Sequence, residues 1–193
     1  MSTKSISSTS LSTTYNEDTR PKENQKQKNL HLIHPDITYA KILLHILNEN
    51  KKLPDYYEKI ENAQDGNFTY KIKPGISLLD YLRRIIKYTK IEFSTLILSM
   101  VYIDRICKEK VFLNEYNIHR VMFISIIMAY SYNEDCIYDN NYLALVSGVS
   151  LKEMISLEHS FLDLLEFNFY VDGKIFEQYK QYFFMDIAEY EKE

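Results

Sequence analysis

Apolar positions recur at helical spacing along most of the chain. Ile37, Ala40, Ile42, Leu43, Leu44, Ile46 and Leu47 predict a strongly apolar helix, and Pro54 follows its end. The stretch from 54 to 75 is polar, has little periodicity and reads as a connection. Ser77 with Asp80 has the spacing of a capping box, with Asp in place of the usual Glu or Gln, and opens a helix to about Thr89. A second helix is expected from about Ser94 to Lys108, and a third from Asn117, a good N-cap, to about Tyr132. After the acidic, Asn-rich loop 133–140, a short helix over Asn141 to Val146 stops before Gly148. Ser150 with Glu153 is a full capping box for a long helix to about Glu166, and a last helix runs from Lys174 to Glu189. No strand or hairpin pattern and no internal repeat interrupts this series, so the expected class is all-α with short connections.

Residues 1–30 are polar, Ser/Thr-rich at first and then rich in Lys, Gln, Asn and Glu. Such a segment buries too little apolar surface to offset its ordering entropy, and a disordered arm is expected there. The remainder divides into an N-terminal helix with its connection (31–76), a run of five helices (77–170) and a C-terminal helical extension (171–193).

Composition removes several classes of function. Only four glycines occur, and they are scattered, so no glycine-rich loop can cradle a nucleotide. A net charge of −4 argues against bulk nucleic-acid binding. No apolar run is long enough to span a bilayer. The first residues lack a leader's apolar core, so two cysteines, Cys107 and Cys136, point to a reduced, intracellular protein of cytoplasm or nucleus. On that ground the sequon Asn67-Phe68-Thr69 reads as chance. His31 and His34 lack partners at zinc spacing, and Glu134, Asp135 and Asp139 lack the glycine and terminal Glu of a calcium loop. His119, at a helix start, reads as structural. No metal, cofactor or catalytic residue is expected, and the chain reads as a non-enzyme.

Two carboxylates fall on apolar faces. On the helix from Ser150, Leu151, Met154, Ile155, Phe161, Leu162 and Leu165 form one broad face at 100° per residue, with Glu158 inside it. Glu158 is either a helix-edge residue that snorkels to a local cation or a contact residue on an interface. On the helix from Ser94, Asp104 points with Leu96, Ile97, Met100, Val101 and Ile103. A buried Asp needs a hydrogen-bonding cation, for which Arg83 and Arg84 are the nearest upstream candidates.

The order of the motifs resembles the P-type, phosphate-regulon-like cyclins. The likeness is carried by Ser77-Leu78-Leu79-Asp80-Tyr81-Leu82-Arg83-Arg84-Ile85 with Lys87-Tyr88-Thr89-Lys90, by Tyr102-Ile103-Asp104-Arg105 and by Asn117-Ile118-His119-Arg120. Tyr138-Asp139-Asn140-Asn141-Tyr142, Gly148 to Met154, Leu157-Glu158-His159 and Leu164-Leu165-Glu166-Phe167 continue it in the right order. The resemblance implies a single five-helix cyclin box with an extra helix at each end. It also implies a partner, a cyclin-dependent serine/threonine kinase whose αC helix the subunit pushes inward, in a heterodimer without nucleic acid or membrane. By the same resemblance Arg84 and Asp104 would form an internal salt bridge. Glu158, Leu162 and Phe167 would face the kinase, with Ser131 and Tyr132 at the end of the third box helix. Family members usually carry Lys where Ser131 stands here. A cyclin-like helical scaffold that binds partners without activating a kinase is the alternative reading.

Overall fold

The structure, a computed structural model, describes residues 34–63, 66–135 and 138–190. The arm expected over 1–30 lies outside the described residues. The described residues form eight α-helices and no strand: α1 (Pro35–Lys51), α2 (Tyr56–Glu61), α3 (Leu78–Thr89), α4 (Phe93–Glu109), α5 (Ile118–Asn133), α6 (Asn140–Ser147), α7 (Leu151–Leu165) and α8 (Gly173–Tyr190). The fold is therefore all-α, with α3 to α7 as the five-helix box and α1 and α8 flanking it.

α5 is the axis of the core. Every residue from Val121 to Ile127 is buried, as are Ala129 and Tyr130, which is the signature of a helix covered on all sides. α4 packs along α5, and α3 and α7 also close on it. The flanking helix α1 reaches α4 through a buried polar joint. The Tyr39 hydroxyl on α1 meets Ser99 Oγ at 2.9 Å, and Ser99 donates to the Leu96 carbonyl at 2.7 Å. Phe183 of α8 lies against Tyr39 with ring centroids 6.3 Å apart.

Caps set the helix ends. Ser77 Oγ accepts the Asp80 N–H at 3.0 Å and donates its own proton to the Asp80 carboxylate at 2.7 Å, so the shortened box closes as a local ring. Ser150 caps α7 by accepting the Glu153 N–H at 3.2 Å. The Glu153 carboxylate pairs with Arg120 on α5. Asp139, a member of the acidic loop, caps α6 by accepting the N–H groups of Asn141 and Tyr142. Glu134 Oε1, from the same loop, accepts the Glu92 N–H at 3.0 Å and the Thr95 hydroxyl at 2.6 Å, satisfying the start of α4 from outside. Asn117 stands at the N-cap position of α5 but makes no side-chain cap bond. Its amide oxygen accepts the Asn114 N–H and its amide nitrogen donates to the Phe112 carbonyl, so it shapes the loop before the helix.

Two expectations are corrected. The polar connection contains α2 and a 3-10 turn at Gly66–Phe68. Tyr56 is buried edge-on to Phe112, and Phe68 is buried in the core. Arg120 holds this segment: it donates to the carbonyls of Asn67 and Thr69 and lies 3.8 Å over the Tyr70 ring. These are partners distant in sequence, so no local period announces them.

The Arg84–Asp104 salt bridge is not formed. Asp104 pairs with Lys108 one turn later at 2.8 Å and accepts the Tyr179 hydroxyl of α8 at 2.6 Å, with 39% of its side chain exposed. Arg84 lies on the surface and donates to the Leu145 carbonyl at 3.2 Å. The i,i+4 lysine and the tyrosine of α8 supply the hydrogen-bonding partners that Asp104 needs, so no arginine from α3 is required. His119 donates from Nε2 to the Ile76 carbonyl at 3.0 Å and packs on Tyr81, a structural role. Burial lowers its pKa below the ordinary imidazole value.

Candidate functional site

The broad apolar face read on α7 is in fact two stripes. Met154, Leu157, Phe161 and Leu165, spaced three and four apart, are buried against the core. Leu151, Ile155, Glu158 and Leu162 follow the same spacing one position away and face outward. Leu151 and Ile155 are each 37% exposed, while Glu158 and Leu162 are half-buried. Glu158 therefore sits among aliphatic side chains. Its partner is the Asn140 amide, which donates to Oε2 at 3.1 Å across from α6. Burial pushes the Glu158 carboxyl above the ordinary carboxylate range, partly offset by His159 and by the Asn140 hydrogen bond. No lysine or arginine among the described residues forms a salt bridge with it.

α7 ends abruptly. Glu166 and Phe167 both take left-handed backbone, with φ of 52° and 57°. The Phe167 N–H reaches back to the Leu162 carbonyl at 3.1 Å and closes the last turn. A non-glycine residue in this region costs on the order of 1–3 kcal/mol and persists only where its surroundings hold it. Here they do. Lys110 donates to the Leu164 carbonyl at 3.0 Å and to the Glu166 carboxylate at 2.6 Å, and this bond holds the Glu166 carboxyl below its usual range. Phe167 is left 67% exposed, as a large aromatic ring held out toward solvent.

The loop beyond is clamped by α4. Arg105 donates from Nη1 to the Asn168 carbonyl at 2.6 Å and from Nη2 to the Tyr170 carbonyl at 2.8 Å. Tyr102 donates to the Phe169 carbonyl at 2.9 Å. The Phe169 ring sits between Tyr102, edge-on at 5.4 Å, and Tyr132, stacked at 5.6 Å. Tyr132 and Tyr170 remain largely exposed, so the loop presents several aromatic rings beside the outward stripe of α7.

The structure thus places Glu158 and Leu162 on one stripe, and brings Tyr132 to the loop that follows Phe167. Ser131 is exposed in the last turn of α5 and is not the partner of Glu158, which is Asn140. Sequence reasoning missed Tyr102, Arg105, Lys110 and Asn140. For Tyr102 and Arg105 a signal was present: three residues apart, they share a side of α4, as one hydroxyl donor and one forked donor can when they grip successive carbonyls. Lys110 and Asn140 act across the fold and left no local signal. Among the described residues there is no cluster of metal-ligating side chains, and no helix is long and apolar enough to cross a membrane.

This arrangement sets outward aliphatic side chains around a carboxylate that makes no salt bridge among the described residues, next to braced aromatic rings. The family model for cyclins matches residues 3–169. The chain belongs to the cyclin family. Cyclin-U4-3 of Arabidopsis thaliana is 35% identical over 121 residues, 62% of this chain and 55% of that protein. Cyclin-P4-1 of Oryza sativa subsp. japonica is 34% identical over 121 residues, 62% of this chain and 57% of that protein. PHO85 cyclin-like protein psl1 of Schizosaccharomyces pombe is 33% identical over 115 residues, 58% of this chain and 47% of that protein. This cyclin is therefore similar to proteins named as U-type and P-type cyclins and to a PHO85 cyclin-like protein, and it spans about half the length of the curated relatives it matches.

Proposed function

We propose that this cyclin is the regulatory, non-catalytic subunit of a cyclin-dependent serine/threonine kinase, and that it binds the kinase through the outward stripe of α7 and the aromatic loop behind it. The observation that carries this reading is Glu158, a half-buried carboxylate in an apolar stripe whose partner is a neutral amide. Covering that stripe with another protein would desolvate the charge further, so the covering surface must bring a cation. The resemblance to P-type cyclins gives a lysine at the position of Ser131, and in its absence the kinase supplies that charge. Leu162, Phe167 and Tyr132 provide the apolar anchors around the ion pair. Docked there, the subunit presses the kinase αC helix inward so that its glutamate meets the β3 lysine, as phosphoryl transfer requires. The complex acts inside the cell, in cytoplasm or nucleus.

Pull-down of the full chain from native lysate identifies the kinase, and titration of that purified kinase tests the face. Glu158→Ala and Phe167→Ala should each weaken binding and activation at least tenfold, with melting close to the parent. Ser131→Lys separates two geometries: it strengthens binding if the kinase leaves the lysine's place open, and weakens it if the kinase brings its own cation. A kinase that binds without gaining activity would point to the scaffold role. Normal binding by Glu158→Ala would place the interface elsewhere.

A further inference from the structure

A groove of about 660 Å³ lies between α3 and α6, and none of its lining residues belongs to the outward stripe of α7. One wall carries three cations within a single turn of α3: Arg83, Arg84 and Lys87. Lys87 is four residues from Arg83 and three from Arg84, spacings that put it beside both. Like charges at these spacings weaken the helix that carries them. The cluster's local neutralisation is incomplete. Arg83 gives its Nε proton to Asp36 at 2.7 Å, and Asp80, one turn before Arg84, keeps its negative charge while it accepts the Ser77 hydroxyl. Among the described residues neither Arg84 nor Lys87 forms a salt bridge with a carboxylate.

Arg84 is also held in place. One Nη2 proton is on the Leu145 carbonyl, and the guanidinium lies against Gly148, whose φ of 76° ends α6. A Cβ at Gly148 would stand 3.8 Å from Nη1. Arg84 lines the groove, and a guanidinium carries five N–H donors, more than the Leu145 carbonyl can take. The other wall is apolar: Leu145 is 71% exposed there, and Tyr88 and Tyr142 flank it.

We infer that this groove binds a phosphorylated peptide, with the phosphate between Arg84 and Lys87, Arg83 at the rim, and a neighbouring aliphatic side chain on Leu145 and Tyr88. A phosphoserine or phosphothreonine carries about −1.5 to −2 charge at pH 7 and three acceptor oxygens, which matches two cations without a carboxylate partner and a third that shares one. A single carboxylate would leave part of that charge unmet. A nucleic acid duplex presents an extended row of phosphates and needs a basic track, whereas this patch is one helical turn on a protein of net charge −4. Anionic membranes are recognised by clusters of about four to eight basic residues. The inference does not depend on kinase docking at α7. Such a groove would make the protein select targets that have already been phosphorylated.

The test uses the full chain without kinase. A peptide library with a fixed central phosphoserine or phosphothreonine is selected on the protein, and the recovered peptides are titrated by fluorescence polarisation beside their dephosphorylated forms. Phosphopeptides enriched in aliphatic residues next to the phosphate should bind at least tenfold tighter than the dephosphorylated forms. The double variant Arg84→Ala/Lys87→Ala should lose at least tenfold in affinity. Leu145→Asp, at an exposed position, should do the same and keeps the test valid if the double variant fails to fold. Equal binding of phosphorylated and dephosphorylated peptides would overturn the proposal. So would undiminished binding by Leu145→Asp, or equally tight binding of a DNA duplex or phosphatidylserine vesicles.

Discussion

Asp104 and Arg84 each meet their polar needs close by, and their energetics follow from exposure. Asp104 keeps 39% of its side chain in solvent, where an ion pair with Lys108 contributes little. Its bond from Tyr179 is the larger loss, so Asp104→Ala should cost about 1 kcal/mol, or about 2–4 °C of melting temperature. Combined with Arg84→Ala in a double-mutant cycle, the effects should add within about 0.5 kcal/mol, as they do for residues that share no partner. A coupling well above that would restore the internal bridge. Arg120 is the opposite case. Its side chain is 14% exposed, and it serves two backbone carbonyls, the Glu153 carboxylate and the Tyr70 ring at once. Arg120→Ala leaves these groups unmatched and should cost about 3–5 kcal/mol in urea unfolding. Arg83→Ala, which opens a half-exposed pair with Asp36, should cost about 1 kcal/mol.

At the scale of elements, several helices stop on a left-handed residue. Gly148 does so without a Cβ to strain, whereas Lys90 and Phe167 do so at φ of 53° and 57°. Replacing a non-glycine there by glycine relieves about 1 kcal/mol of local strain, against a smaller loss from the freer unfolded chain. Lys90→Gly and Phe167→Gly should therefore each raise the melting temperature by about 1–3 °C. Only Phe167→Gly should weaken kinase binding, because only it removes a ring from the proposed docking face. A Phe167→Gly variant that melts higher and binds normally would show the strain to be unrelated to docking. Helix identity was legible in the sequence because α3 and α7 carry apolar residues at unbroken three- and four-residue spacing behind serine caps. α2 escaped because six residues hold less than two turns, too few for a period, and its one buried residue, Tyr56, is covered by Phe112 from another part of the chain. Asn117 shows the matching limit for caps: residue type marked the position correctly, while a nearby loop claimed the side chain.

At the scale of the whole molecule, the chemistry of the proposed docking face was visible in the sequence and its geometry was not. A carboxylate on an apolar helix face is visible in the sequence at Glu158. The wheel could not show that Met154 and Ile155, adjacent in sequence, go to opposite sides of the buried boundary, because that depends on where α5 and α6 lie. The clamp from Tyr102 and Arg105 on 168–170 spans more than sixty positions, beyond any local period. The burial that this assembly imposes on Glu158 has a thermodynamic consequence. Glu158 holds its proton more tightly folded than unfolded, since desolvation raises its pKa. A carboxyl shifted in that direction lowers stability as pH rises from the ordinary carboxylate range through the raised value, and the loss persists above it. Glu158→Gln keeps an acceptor for Asn140 and removes the charge. It should melt at or above the parent at pH 7, with the difference vanishing below about pH 4, where the parent is protonated in both states. Kinase binding should run the other way. A cation from the partner favours the ionised form, so parent affinity should rise with pH through the raised value, while the Gln variant stays flat and at least tenfold weaker at pH 7. Melting curves and titrations of both proteins across about pH 3 to 8 measure the two trends together. A Gln variant that melts lower at pH 7 would make Glu158 a structural residue, and its unpaired charge would no longer point to a partner.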